Sequence, residues 1–563
     1  MSARVEPASA TLPADDGWNQ REETTQTVGV AGWTLVSRLT GLVRIAVAGA
    51  TLGPTFFANI FQITNTLPNL TYNLFAGSLV PALVVPSLVA ALDREGAAGA
   101  RRLCRSLVGV VLLGFGAASA LVICSGPVIV RLVTAGISDS ASSAQAQRQT
   151  WVLLLLVVPQ IMLYGVAAIG VAAQNARRRF ALAAAAPAVE NVGLVVTLLV
   201  AAAWFGGGLR TGDVTGAHLL VLGIGSTLSV AAHAGIQLFG AARVGLPLWP
   251  TWSRRDQAVR EVIRRGIPTL ADATVQAGST FAVVLAAGTV PGGVVAMQIG
   301  LKLYNLPLAL SARAVGTVLM PKLAQLRVRG SPEGFRATYL RGLSMSWLVA
   351  VPAAVALVFL ARPIAELLAF GELDRDGAIT LVAVSVASLG LALVGTATYE
   401  IARQACYARL DARSPLLGGI AQAVVVLAGV GASVLVFDGT AALAVLGLAV
   451  TLGSLVRAVV VDRAARSGIA GLEGRARRIL GLDFVASVVA VGPAALLVRV
   501  VASAVDGRAG LVVGLALGAV VGMVGYAAAL AVLVALRAPD LPDLRRGETQ
   551  RLAPTTTSSG GAP

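Results

Sequence analysis

The sequence predicts an all-α polytopic membrane protein, with about fourteen transmembrane helices in two parallel six-helix lobes plus two C-terminal helices. Three observations carry that expectation. Apolar runs of roughly 20 residues, each able to cross a ~30 Å hydrocarbon layer, recur along all 563 residues. Arginines gather in alternate connections between these runs, as the positive-inside rule requires of a chain threaded through a membrane. One run in each half carries a similar pair of prolines. At 56% hydrophobic, 13% charged and a mean hydropathy of +0.79, the chain leaves no stretch for a soluble domain of about 100–150 residues.

Residues 1–26 are polar and acidic, without the basic start and apolar core of a signal peptide, and read as a disordered cytoplasmic tail. Six spans follow at roughly 27–52, 57–92, 106–134, 149–174, 181–205 and 216–243, forming a first lobe over 27–243. Six more, at roughly 258–288, 293–326, 337–361, 376–402, 415–437 and 440–462, form a second lobe over 244–462. A last pair near 480–504 and 508–536 falls within 463–536. The Pro/Thr/Ser/Gly-rich end, 537–563, reads as a second disordered cytoplasmic tail.

Charge tests the count. The even-numbered connections hold Arg94, Arg101, Arg102 and Arg105, then Arg177, Arg178 and Arg179, then Arg243, Arg254 and Arg255. Further on come Arg327, Arg329 and Arg336, then Arg403, Arg409 and Arg413, then Arg463, Arg466, Arg475, Arg477 and Arg478. The opposite connections hold chiefly Arg148, Arg210, Arg362, Arg375 and Arg508. Both termini are therefore expected on the cytoplasmic side of a plasma membrane, and an odd number of spans would scramble the alternation. The same loops account for the net charge of +16, so nucleic acid is not expected as a partner. Cys104, Cys124 and Cys406 lack metal or redox spacing, and His218 and His233, 15 residues apart, read as helix-packing or interface residues.

The proline pairs suggest an internal repeat. Span two reads LPNLTYNLFAGSLVPAL and span eight LPLALSARAVGTVLMPKL, with Pro68 and Pro81 matched by Pro307 and Pro321. The two spans are six apart, so the halves share one orientation, as in parallel lobes related by an axis along the membrane normal.

Catalytic signatures are missing. The only lysines, Lys302 and Lys322, follow no glycine, which excludes a phosphate-binding P-loop, and there is no His-Glu-x-x-His or Gly-x-Ser-x-Gly. A transporter without cofactors, driven by the membrane potential or a proton or sodium gradient, is the expectation. Its chemistry rests on charge held inside the spans. An arginine at a bilayer centre costs about 2.5–3.5 kcal/mol, so Arg38 and Arg44 should face a water-accessible interior. Six residues put them about 120° apart around a helix and roughly 9 Å along it, suited to lining a wide chamber. Arg44, nearer the end of its span, has the alternative of snorkelling outward. Asn65, Asn69, Tyr72 and Asn73, between the prolines of span two, belong to a broken helix of the kind that lines a cavity. Lys302 and Arg313, eleven residues and nearly three turns apart, are expected to share one face and form a second cationic stripe, or Arg313 pairs with a helix-end carbonyl. Guanidinium at such positions suits phosphate oxygens. Asp272 with Gln276 one turn on, Glu190 and Glu400 are candidates for a coupling proton or sodium ion, or are partners of the arginines. Span eleven offers neither an acid nor an asparagine, which argues against a rich cation site in the second lobe.

Read in order, these residues resemble the MurJ/MviN lipid II flippases of the MOP exporter superfamily. The resemblance rests on Ser37-Arg38-x-x-Gly41-x-x-Arg44, Leu67-Pro68-Asn69-Leu70 with Leu74-Phe75-Ala76, Gln174-Asn175, Arg179-Phe180, Ala186-Pro187 and Asn191. Phe370-Gly371 to Asp374, Arg403-Gln404-x-x-Tyr407-Ala408 and Ser414-Pro415 extend it. It implies a flippase moving an undecaprenyl-pyrophosphate-linked peptidoglycan precursor, lipid II, outward across a bacterial plasma membrane by alternating access. It further implies that Arg38, Arg44 and Lys302 bind the pyrophosphate, with a groove for the lipid tail beside the last two helices. Membrane lipids, and cell-wall synthesis or division proteins, are the partners it suggests. The chain departs from the family where acids are usual, at Ile45, Thr55 and Leu301, and at Tyr72-Asn73 and Ala76-Gly77-Ser78. An exporter of another lipid-linked glycan and a non-transporting membrane scaffold for cell-wall synthesis remain open. A cation antiporter is disfavoured by the net basic interior.

Overall fold

A computed structural model describes residues 20–74, 80, 83–251, 257–374, 376–467, 472–505 and 507–536. Among them the chain is helical, without a strand. The first half runs α1 (Gln20–Leu52), α2 (Phe56–Leu74), α3 (Val85–Cys124), α4 (Gly126–Val133), α5 (Ser140–Val157), α6 (Pro159–Ala176), α7 (Ala181–Phe205) and α8 (Gly216–Arg243). The second runs α9 (Gln257–Ala287), α10 (Gly293–Leu308), α11 (Ala314–Val328), α12 (Pro332–Phe359), α13 (Ala361–Leu368), α14 (Asp376–Gly390), α15 (Ala392–Ala408), α16 (Arg413–Val436) and α17 (Gly439–Arg466). The last pair is α18 (Leu472–Ala504) and α19 (Arg508–Leu536). Among the described residues, twelve helical tracts are long and apolar enough to cross a membrane, with α5–α6, α10–α11 and α14–α15 each counting as one. The expected spans outside that dozen are α2 and α9, whose apolar part is Ala271–Ala287.

Packing follows the two halves. Within the first, α7 lies between α1 and α8, and α6 between α3 and α8. Within the second, α17 lies between α15 and α16, α10 packs on α14, and α9 on α16. The pair α18–α19 docks on α12 and α13. One backbone detail recurs in the two halves. Helix α6 ends with Arg178 in the left-handed region (φ 56°), where the Arg179 N–H donates to the Gln174 carbonyl and the Arg178 N–H to that of Asn175. Helix α15 ends the same way, with Leu410 at φ 61°, Asp411 donating to Cys406 and Leu410 to Tyr407. Both are Schellman turns carrying a residue other than glycine where glycine is favoured. Pro68, Pro307 and Pro321 sit inside α2, α10 and α11.

Four expectations change. Arg94, Arg101, Arg102 and Arg105, expected in a loop, lie within α3, which bends at Gly96 (φ 67°, ψ −163°), a conformation open to glycine alone. Arg403, also expected in a loop, lies in α15, where it pairs with Glu400 and stacks near Tyr399 and Tyr407. The tail expected over 1–26 is helical from Gln20, in a stretch rich in Gln, Arg and Glu, all good helix formers. Lys302 and Arg313 do not form one stripe, because residues Ala309–Arg313 make a π-helical turn. An i→i+5 turn inserts one residue, roughly 100° of rotation, between the two side chains. Pro81, Ala76-Gly77-Ser78, Arg254, Arg255, Arg375 and the tail 537–563 lie outside the described residues.

At one end of the bundle the halves are tied together. Asn59 of α2 is buried, and its Nδ2 donates to the carbonyls of Gly288 (3.0 Å) and Val290 (2.7 Å), while its Oδ1 accepts from the Val294 N–H (3.1 Å). The Gly292 N–H donates to the Thr55 carbonyl at 3.3 Å. Glycine is required at 292 twice over: its φ is +72°, and a Cβ there would stand 2.5 Å from Pro54 Cα. Buried apolar residues from α1, α2, α10, α14 and α17 form one continuous cluster here.

Candidate functional site: a cationic cavity between the halves

A cavity of about 450 Å³ opens between the halves, within the range of roughly 300–1,000 Å³ usual for ligand sites. Helix α1 contributes Arg38 and Arg44, α2 contributes Asn65, Asn69 and Asn73, and α10 contributes Lys302. The two arginines project into one space although α1 is unbroken at Gly41. Gly41 allows a close approach: its missing Cβ would stand 3.7 Å from Lys302 Nζ and 3.4 Å from Asn191 Nδ2. Asn191 of α7 in turn donates to the Ser37 carbonyl (3.1 Å) and Thr40 Oγ1 (3.3 Å), fixing the turn that presents Arg38. Asn73 donates to Asn69 Oδ1 at 2.9 Å.

No ion pair with a described residue ties up these cations. Among the described residues, no carboxylate lies within 4.0 Å of Arg38, Arg44 or Lys302, and the buried Nε atoms of both arginines have no hydrogen-bond partner. Three unpaired cations in one half-buried space cost desolvation and mutual repulsion, which an anion entering the cavity would relieve.

One acid shares the cavity. Glu190 of α7, 7% exposed, accepts from Tyr164 Oη at 2.7 Å and sits 2.6 Å from Nδ1 of the fully buried His233 on α8. Tyr72 packs its ring on both Tyr164 and His233. Glu190 is therefore held by its own helix neighbours rather than by an arginine, and His233 is a polar partner rather than simple packing. His218 does pack, stacked on Phe205 and tilted against Phe57.

A second cavity of about 310 Å³ lies within the second half and shares Thr280, Leu301 and Asn305 with the first. Arg313 lines this one, its Nη2 donating to Asn305 Oδ1 at 3.3 Å. Of the predicted cation residues, Gln276 and Glu400 line it too, and the acids on this side are already paired. Asp272 and Gln276 both accept from Arg457 of α17, at 3.0 Å and 2.6 Å. The reading of Asp272 as an arginine's partner is the one observed, and the same holds for Glu400 with Arg403. Sequence reasoning passed over Arg457 because it stands near the end of a span, six residues before the basic run that opens at Arg463.

The sequence model of the family described as "Lipid II flippase MurJ" matches residues 48–506. The lipid II flippase MurJ of Burkholderia cenocepacia is 26% identical over 393 residues, 69% of this chain and 73% of that protein. A probable lipid II flippase MurJ of Rhizobium tropici is 27% identical over 392 residues, 69% of this chain and 71% of that protein. Among solved structures, a lipid II flippase MurJ in an inward closed conformation is similar with a TM-score of 0.69 at 15% identity, covering 90% of this chain and 99% of that one. An inward-facing MATE multidrug resistance transporter of the MOP superfamily is similar with a TM-score of 0.61 at 14% identity, covering 79% and 99%. At such identities the structural likenesses speak to fold alone.

Proposed function

This chain belongs to the lipid II flippase MurJ family, and from that premise we propose that its cationic cavity grips the diphosphate of lipid II while the halves rock to expose it first inward, then outward. The chain is a multi-pass protein of the bacterial inner membrane, and its work is transport. The single observation that carries the reading is the set of unpaired cations, Arg38, Arg44 and Lys302, around one cavity between the halves. Their charge matches a diphosphate diester, and the two guanidinium forks suit its oxygens. Asn69 and Asn73 supply neutral donors beside them, and Glu190 trims the total positive charge.

Residues 27–243 and 244–462 are the proposed moving lobes. Their tie through Asn59 joins the end that the arginine-poor connections place outside, with both termini cytoplasmic. A chamber shut at that end loads from the inner leaflet, and breaking the Asn59 bonds is the step toward release. The polyprenyl tail stays in lipid beside α18 and α19. Without a nucleotide motif, the driving force is the membrane potential or an ion gradient. The cell-wall polymerases that consume lipid II on the outer face are the proposed protein partners. Depletion of the protein in its host should lower the lipid II reachable by an outer-face probe, and unchanged labelling would reject the assignment.

A further inference from the structure

The second lobe holds a cage of oxygens already filled by a side chain. Arg457 is 6% exposed in the middle of α15, α16, α17 and α9. Its Nη1 donates to Gln276 Oε1 (2.6 Å) and Gln422 Oε1 (3.1 Å). Its Nη2 donates to both oxygens of Asp272 (3.0 and 3.2 Å) and to Tyr399 Oη (2.5 Å), whose ring lies 3.6 Å from the guanidinium carbon. The site is built for this closeness. A Cβ at Gly419 would stand 2.5 Å from Asp272 Oδ1, and one at Gly418 would stand 3.3 Å from Arg457 Cγ. Gln422 comes from span eleven, which has neither acid nor asparagine but does supply this amide.

Taken without the arginine, these groups are one carboxylate, two amide oxygens and a phenol facing one point at membrane depth. Hard oxygen donors with a single negative charge suit a small monovalent cation. The guanidinium supplies that charge itself, and its covalent tether makes filling the cage an intramolecular event that recruits no free ion.

We propose that Arg457 is a built-in substitute for a coupling cation: it fills the Asp272–Gln276–Gln422–Tyr399 cage, so the second lobe of this chain neither binds nor needs sodium. The role of the cage in coupling rests on the transporter reading above, whereas its occupancy does not. Asp272 keeps one partner through the transport cycle, and the ion-gradient part of the driving force has to act elsewhere.

The test uses the full-length purified chain, its thermal unfolding followed as sodium chloride replaces choline chloride at constant ionic strength. The wild type should show no saturable sodium effect. Arg457→Met should unfold earlier in choline and gain a saturable rise of about 1–2 °C or more with sodium. Asp272→Asn in the Arg457→Met background should lose that gain. Saturable sodium stabilisation of the wild type, removed by Asp272→Asn, would overturn the proposal, as would an Arg457→Met protein that folds and ignores sodium. Should Arg457→Met not fold even in sodium, the wild-type titration still decides. Wild-type transport of lipid II in liposomes should be equal in sodium and choline. Transport in sodium alone counts against Arg457 as the substitute, whereas transport in neither counts against the flippase reading and leaves the binding result standing.

Discussion

Replacing Arg38 with alanine isolates the cavity from the fold. The guanidinium lines the chamber, its Nε is buried without a partner, and no carboxylate depends on it. Its removal therefore strands no acid, and the melting temperature should stay close to that of the wild type. Binding should not. A hydrogen bond to a charged group contributes about 1.5–3 kcal/mol, which is roughly a 10- to 150-fold loss of affinity for the diphosphate. Arg38→Lys keeps the charge without the planar fork and should fall between the two. The assay is the affinity of the purified chain for a short-chain lipid II analogue, set beside rescue of depleted cells. Wild-type affinity and full rescue by a stable Arg38→Ala protein would refute the reasoning.

Lys302→Ala should weaken the same affinity by a comparable factor, whereas Arg313→Ala should change it less than about threefold, since Arg313 lines the neighbouring cavity and already has Asn305. Equal losses for both would mean that the cavities act as one. Asn59→Ala removes three bonds between the halves and leaves the Gly288 carbonyl and the Val294 N–H unpaired, while Val290 keeps the bond from the Gly293 N–H, at a cost of about 1–3 kcal/mol for each unpaired group. A cysteine placed in the cavity of that variant should react several times faster with an impermeant outer-face thiol reagent. Asp411 accepts from the Arg413 and Ser414 N–H groups at 3.0 Å each; although burial opposes them, the bonds from Ser414 and Arg413 hold its carboxyl below the usual aspartate range. Its contribution to stability is thus full above the unfolded pKa of about 3.9 and is lost as pH falls through the lower folded value. Asp411→Ala should lower stability at neutral pH by about 1 kcal/mol and flatten the acid limb of the melting profile.

What was legible in the sequence was set by composition and local spacing. Apolar length and loop charge give the membrane-spanning helices, and the cost of arginine in lipid sends Arg38 and Arg44 inward, where both are found. Lys302 was placed in the wrong company, since the π-turn at Ala309–Arg313 that separates it from Arg313 leaves no periodic trace. Pairings across long separations were hidden for a similar reason. Asp272 and Arg457 are 185 residues apart, and Asn59 and Val290 are 231 apart. Nothing in either local pattern announces its partner. His233 read as packing because its acid, Glu190, sits on another helix.

The central claim is that unpaired cations between two lobes carry a lipid-linked diphosphate across the membrane. Its most direct measurement reconstitutes the purified chain into liposomes with fluorescent lipid II in both leaflets and follows quenching by a membrane-impermeant reductant. Wild-type vesicles should pass well beyond the outer-leaflet half, and vesicles carrying the Arg38→Ala/Arg44→Ala/Lys302→Ala chain should stop there. Quenching that halts at the outer leaflet with both proteins, or proceeds alike with both, would contradict the account.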